Sequence, residues 1–139
     1  MSYAGFWKRF FAVIIDSLIL SFLMFFFMFF VGFFIGGMFS EPETMVQFSN
    51  FGMLINVVII WLYFALQESS AWQATLGKRL LGIYVTDTDG ERISFGRATI
   101  RYFSKYLSSI FMIGFIMAGI TEKKQGLHDM IADTLVVNR

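Results

Sequence analysis

Between Phe10 and Phe39 the sequence carries one charge, Asp16. The run around it, WKRFFAVIIDSLILSFLMFFFMFFVGFFIGGMF at positions 7–39, exceeds the roughly 20 apolar residues that cross a bilayer. An ionised carboxylate on the lipid side of such a helix costs at least about 2.5 kcal/mol. Asp16 must therefore face protein or water, and something must answer it. At about 100° per residue Arg9, Ala12, Asp16 and Leu20 fall on one face, with Arg9 about 10 Å before the carboxylate at 1.5 Å per residue. A buried carboxylate opposite a fixed base is the least apparatus that can couple a proton to a cation, because proton, cation and base each neutralise it and exclude one another. The expected assignment makes Asp16 the titrating group, Lys105 or Arg101 its counter-ion, and Asn56 and Ser17 neutral oxygen ligands for a monovalent cation, since hard cations need several oxygens. A buried ion pair that only fixes helix register is an equally open reading. Arg9 reads as an interfacial anchor.

The other polar clusters support less. Glu122, His128 and Asp129, with Asp133 nearby, form a cytoplasmic polar group that has one histidine and no cysteine, so no metal site is expected. Asp129 is expected to cap a helix or to pair with Lys78, Arg79 or Arg97, and His128 to sense pH. Gly77-Lys78 invites comparison with a phosphate loop, but Trp72 stands where the first glycine belongs and Arg79 where Ser or Thr would hold magnesium. Asp87 and Asp89 could begin a calcium loop, yet Gly90 comes two positions early and no glutamate closes it. No nucleophile elbow, zinc motif or acid/base pair points to an enzyme, and no cofactor is expected. The basic residues follow the membrane plane, which excludes nucleic acid as a partner.

The chain has 139 residues, 57% hydrophobic and 15% charged, with 19 Phe and no Cys. That balance describes a small polytopic membrane protein. Segment 40–66 has Glu41 and Glu43 but no Lys or Arg, whereas the bases cluster in 8–9, 78–105 and 123–139. The positive-inside rule then puts the N-terminus in the cytoplasm and the loop around Pro42 outside. A cleaved signal peptide fits poorly, the apolar run being about twice an h-region. Gly32 and Gly36 form a small-xxx-small pair for close helix contact. Residues 40–50 read as the outer loop, with Ser49 or Asn50 capping the second span. Residues 69–83 read as an amphipathic helix on the inner leaflet, Trp72, Leu76, Leu80 and Ile83 facing lipid and Lys78 and Arg79 facing headgroups. Asp89-Gly90 signals a hairpin. The third apolar segment is short for a crossing. It either crosses and leaves the tail outside, or breaks near 110–114 and returns, which lets Leu135 to Val137 pair with Ile83 to Val85; the second topology is preferred.

RFFAVIID (9–16), QATLGKRLLGIYV (73–85), ISFGRATIRYFSK (93–105) and TEKKQGLHDMIADTLVV (121–137) together resemble the RDD family of small bacterial and archaeal membrane proteins, named for one arginine and two aspartates. The family arginine maps to Arg9, the intramembrane aspartate to Asp16 and the remaining aspartate to Asp129. Asp133 departs from the pattern, where a glycine is expected. Some members are linked to sodium/proton exchange, so the resemblance implies a transporter.

The expectation is therefore an all-α membrane protein with two full transmembrane helices, a third broken or re-entrant apolar segment and a small cytoplasmic β-hairpin. One domain fills 1–139: spans at 10–38 and 45–67, amphipathic helix and hairpin at 69–95, third apolar segment at 97–120 and a cytoplasmic tail at 121–139. It is expected in the cell membrane, multi-pass, both termini cytoplasmic, surrounded by membrane lipid and assembled as a homo-oligomer, a dimer by preference. The expected function is exchange of a monovalent cation for protons through Asp16. The alternative is a membrane-embedded adaptor or regulator that binds a partner protein or an anionic lipid at its cytoplasmic face.

Overall fold

Thirty consecutive residues with no proline and one interior acid form α1, Phe6–Ile35, which ends in a 3-10 turn at Gly36–Met38. The computed structural model describes residues 1–38, 41–111 and 113–139. Helix α2 follows at Pro42–Ser69, so the expected outer loop over 40–50 and the caps at Ser49 and Asn50 are corrected. Pro42 stands in the first turn, where its missing N–H costs nothing, and Glu43 complements the helix dipole there. Both helices are long and apolar enough to cross a membrane. At 1.5 Å per residue α1 is about 45 Å and α2 about 42 Å long. A hydrocarbon core of roughly 30 Å, measured back from Ile35 and forward from Pro42, would leave about ten residues of α1 and eight of α2 beyond it. That boundary falls beside Asp16 on one helix and Tyr63 on the other.

The rest of the chain folds as a cap around those protruding ends. It comprises α3 (Leu76–Leu80), β1 (Ile83–Asp87), α4 (Phe95–Phe111), α5 (Ile113–Ile120), α6 (Leu127–Ile131) and β2 (Thr134–Asn138). The amphipathic helix expected over 69–83 is thus only five residues long. Gln73 adopts a left-handed turn (φ 53°) before Thr75 caps α3, and Ile83 belongs to a strand. The turn at Asp89-Gly90 is present, with Gly90 at φ 87°, but the local hairpin is corrected: β1 pairs antiparallel with β2, Val85 opposite Val136 and Tyr84 opposite Val137. The expected pairing of Leu135 to Val137 with Ile83 to Val85 is therefore found. Residues 2–4 add to β2's far edge, Ala4 N–H donating to the Val136 carbonyl at 2.8 Å and Asn138 N–H to Ser2 at 2.8 Å.

The third apolar segment stays at the cap end of the spans. α4 begins beside Trp61, whose ring meets Phe95 and Phe103 and whose Nε1–H donates to Thr99 Oγ1 at 3.2 Å. It continues past Phe64, which stacks on Tyr102. At the other end Gly119 of α5 approaches Phe6 of α1. The expected break near 110–114 falls around Met112, outside the described residues. Ala4, Ala12, Ala65, Ala98, Val85 and Val136 make the apolar core of the cap. The alanines at helix contacts let backbones approach, and that closeness buries the charged side chains next to them.

Candidate functional site

The buried residues of α1 are Arg9, Ala12, Asp16 and Leu20, the face that a 100° repeat selects. Asp16 is 1% exposed. Its Oδ1 accepts from the Tyr63 hydroxyl at 2.9 Å and from the Gly77 N–H at 2.8 Å, and its Oδ2 accepts from the Thr75 hydroxyl at 2.5 Å. Tyr63 comes from α2; Thr75 and Gly77 come from the start of α3. Gly77 is required here, because a Cβ at that position would lie 2.9 Å from the Asp16 carboxyl carbon and collide with the Ala12 carbonyl. Thr75 holds both partners: its Oγ1 donates to Asp16 and accepts from the Lys78 N–H as the cap of α3.

Among the described residues no base forms a direct ion pair with this carboxylate, which corrects the expected pairing with Lys105 or Arg101; Lys105 acts on it only through the longer-range attraction of opposite charges. Those bases are committed about 7–10 Å nearer the cap end, at 1.5 Å per residue, where two further carboxylates are wholly buried. Glu68 at the end of α2 accepts from Lys78 Nζ, and from Arg101 Nη1 at 2.9 and 2.8 Å, with Lys105 Nζ at 3.8 Å. Asp129 of α6 accepts from Arg9 Nη1, and from Arg101 Nε and Nη2 at 3.1 and 2.8 Å. Arg101 bridges the two acids, and Arg9 ties α1 to α6 while also donating to the Lys124 carbonyl at 2.5 Å and the Ala4 carbonyl at 3.1 Å. Burial alone would raise Asp129, but the guanidiniums of Arg101 and Arg9 outweigh it and hold the group below its ordinary value. Burial and the charge of Arg101 push the Lys78 ammonium down to about 7 against the pull of Glu68.

Several expectations change. Arg9 is buried and ion-paired rather than an interfacial anchor, because the cap wraps the first turn of α1. Asp129 does cap, its Oδ2 accepting from the Gly126 N–H at 3.0 Å, but its ionic partners are Arg9 and Arg101 rather than Lys78, Arg79 or Arg97. Arg97 lies 3.8 Å from Asp87. Lys78 turns inward to Glu68 instead of outward to headgroups. His128 lies against Asp129, Nε2 to Oδ1 3.4 Å, and its Nδ1 meets the Ser108 hydroxyl at 3.2 Å. Burial pushes it down to about 3, so it is neutral where it was expected to sense pH. Glu122 is exposed and stands apart from that pair. Ser17 is exposed and Asn56 half-buried two turns along α2 from Tyr63, and neither bonds to Asp16. Gly32 and Gly36 are exposed, with open space where a Cβ would stand. Sequence reasoning missed Tyr63, Thr75, Gly77 and Glu68. Glu68 looked like the exit of a span; the available signal was its place one turn after Ala65, the other buried residue of α2.

The RDD family matches the chain over residues 3–133. The uncharacterized protein YxaI of Bacillus subtilis (strain 168) is 42% identical over 146 aligned positions, covering 96% of each chain. The uncharacterized membrane protein YteJ of the same organism is 31% identical over 140, covering 99% of this chain and 82% of its own. No solved structure matches.

Proposed function

The chain belongs to the RDD family of membrane proteins, and from that premise we propose that it exchanges a monovalent cation for protons at Asp16. One observation carries the reading: the carboxylate is buried and answered by two hydroxyls and an amide, while Arg9, Lys78, Arg101 and Lys105 all face Glu68 and Asp129. A carboxylate whose direct partners are hydroxyls and an amide, with Lys105 attracting it only from a distance, is open to neutralisation by a proton or by a small cation, one displacing the other. When a cation enters, the hydroxyls of Tyr63 and Thr75 rotate to offer their oxygens, and the Ala12 carbonyl borders the same position. One turn along α2 from Tyr63, Gln67 Oε1 is buried with no hydrogen-bond partner, an acceptor suited to a water or a cation. Tyr63, Thr75 and Gln67 thus replace Asn56 and Ser17 as the oxygen ligands of the proposal.

The cap carries most of the bases and the turn between the spans carries Glu41 and no base, so the reading puts the cap and both described termini in the cytoplasm of a multi-pass protein of the cell membrane. Two spans cannot enclose a path by themselves. A two-fold dimer completes it, with Gly32 and Gly36 allowing close approach. The test is flux in proteoliposomes loaded with a pH-sensitive dye. A sodium gradient is expected to drive proton movement in the wild type, to fail in Asp16→Asn, and to slow by roughly tenfold in Tyr63→Phe and Thr75→Val, the loss of about one good hydrogen bond to a charged group. A wild-type protein that moves no protons, or flux unaltered by Asp16→Asn, overturns the reading.

A further inference from the structure

We infer that the outer face of α3 is a binding site for one anionic phospholipid, its phosphate held by Arg79 and Arg139. The inner face of α3 is consumed: Gly77 and Lys78 are buried against α1 and Glu68. Its other face presents Leu76 and Leu80, the latter 72% exposed, and these line one groove with Ile19 of α1, Arg79 and Arg139. Ile19 lies one turn beyond Asp16 on the way into the hydrocarbon, so the apolar floor of the groove is continuous with a membrane-spanning surface. The two guanidiniums stand at its rim. Among the described residues neither has a carboxylate partner, in contrast to Arg9, Arg97 and Arg101.

Both rim cations are positioned. Arg79 lies over the Trp72 indole, 4.2 Å from its centroid, and Arg139 over the Tyr84 ring at 5.8 Å, with its own N–H donating to the Gly82 carbonyl at 2.8 Å. Stacking of this kind orders a guanidinium while leaving its N–H edge free for phosphate oxygens. An occupant must therefore be apolar along Ile19, Leu76 and Leu80, anionic at Arg79 and Arg139, and able to enter from the bilayer. A phospholipid with net negative charge meets all three requirements, and a zwitterionic one lacks the surplus charge. The site stands whether or not Asp16 exchanges ions.

Native mass spectrometry of the purified chain with equimolar phosphatidylglycerol and phosphatidylcholine of matched acyl chains tests this. The wild type is expected to retain phosphatidylglycerol preferentially. Loss of both guanidiniums in Arg79→Ala/Arg139→Ala is expected to cut that retention roughly thirtyfold, at about fivefold per surface cation. Arg79→Gln and Arg139→Gln alone, each expected to cost about fivefold, keep the test open if the double variant does not fold. Lys123→Ala, the same loss of charge on an exposed turn, should leave retention unchanged. Equal retention of the two lipids by the wild type, arginine variants that retain phosphatidylglycerol as the wild type does, or an equal loss in Lys123→Ala overturns the proposal.

Discussion

Arg101 and Glu68 are joined through a single guanidinium nitrogen that reaches both carboxylate oxygens, at 2.9 and 2.8 Å. The remaining nitrogens of Arg101 hold Asp129, so this side chain is the common member of two buried pairs. Removing it strips both acids of their shared cation. Arg101→Ala is expected to destabilise by about 3–5 kcal/mol, the usual cost of breaking a buried pair from one side. Arg101→Lys should recover only part of it, since one ammonium cannot span both acids. Thermal unfolding in detergent micelles measures both, and an Arg101→Ala melting temperature equal to wild type would contradict this account.

Gly77 offers a steric test of the contact between α1 and α3. Gly77→Ala drives a methyl group into the Ala12 carbonyl and the Asp16 carboxyl, and it is expected to cost about 1–3 kcal/mol as overpacking. Gly37→Ala, with open space around it, should stay within about 1 kcal/mol of wild type. Equal melting temperatures for the two variants would mean that α3 does not press on α1.

The part of the stability profile between pH 6.5 and about 4.5, above the range where the lowered carboxylates Glu68 and Asp129 begin to lose their own contributions, is assigned to His128. Its folded value of about 3 lies below the ordinary 6.5 because of burial, so between those limits the unfolded chain binds a proton that the folded chain does not. Its contribution is complete above pH 6.5 and is lost as pH falls toward 3, in all about 5 kcal/mol. His128→Gln should flatten this part of the curve of melting temperature against pH. A variant curve parallel to wild type from pH 7 to about 4.5 would rule the assignment out.

Asp133 occupies the left-handed region at φ 50°, between α6 and β2. A glycine is natural there, and aspartate is among the side chains that tolerate it. Asp133→Gly is expected within about 1 kcal/mol of wild type, and Asp133→Val, β-branched, to lose about 1–2 kcal/mol. Chemical denaturation of the pair resolves the difference, and a neutral Asp133→Val would show that the turn relaxes.

The parts of this structure that were legible in the sequence are those that depend on one element's own period. Arg9, Ala12, Asp16 and Leu20 share a face by helical geometry, and the two helices long and apolar enough to cross a membrane declare themselves by length. The pairing of β1 with β2 could be anticipated because short β-branched runs in a small cap have few other partners. What could not be read was which side chain meets which across long separations. Arg101 was recognised as a buried base, yet its acids are Glu68 and Asp129 because α4 lies against α2 and α6, an arrangement periodicity does not encode. The contacts of Thr75 and Gly77 with Asp16 could not be read, Gly77 inviting comparison only with a phosphate loop, because they rest on a left-handed turn at Gln73 that brings α3 onto α1. Lys78 and Arg79, adjacent in sequence, face opposite ways on a one-turn helix, so charge alone assigned both to the surface.

The Arg9–Asp129 pair joins residues 120 positions apart. Helix α1 is made first, and its arginine must wait for a partner that a ribosome working at 5–20 residues per second supplies roughly 6–24 s later. During that interval the guanidinium lacks its carboxylate and has only nearby groups such as the Ala4 carbonyl to bond. Closure of the cap therefore waits on the last tenth of the chain, and a nascent chain stalled before position 129 would carry both long helices with its lock still open.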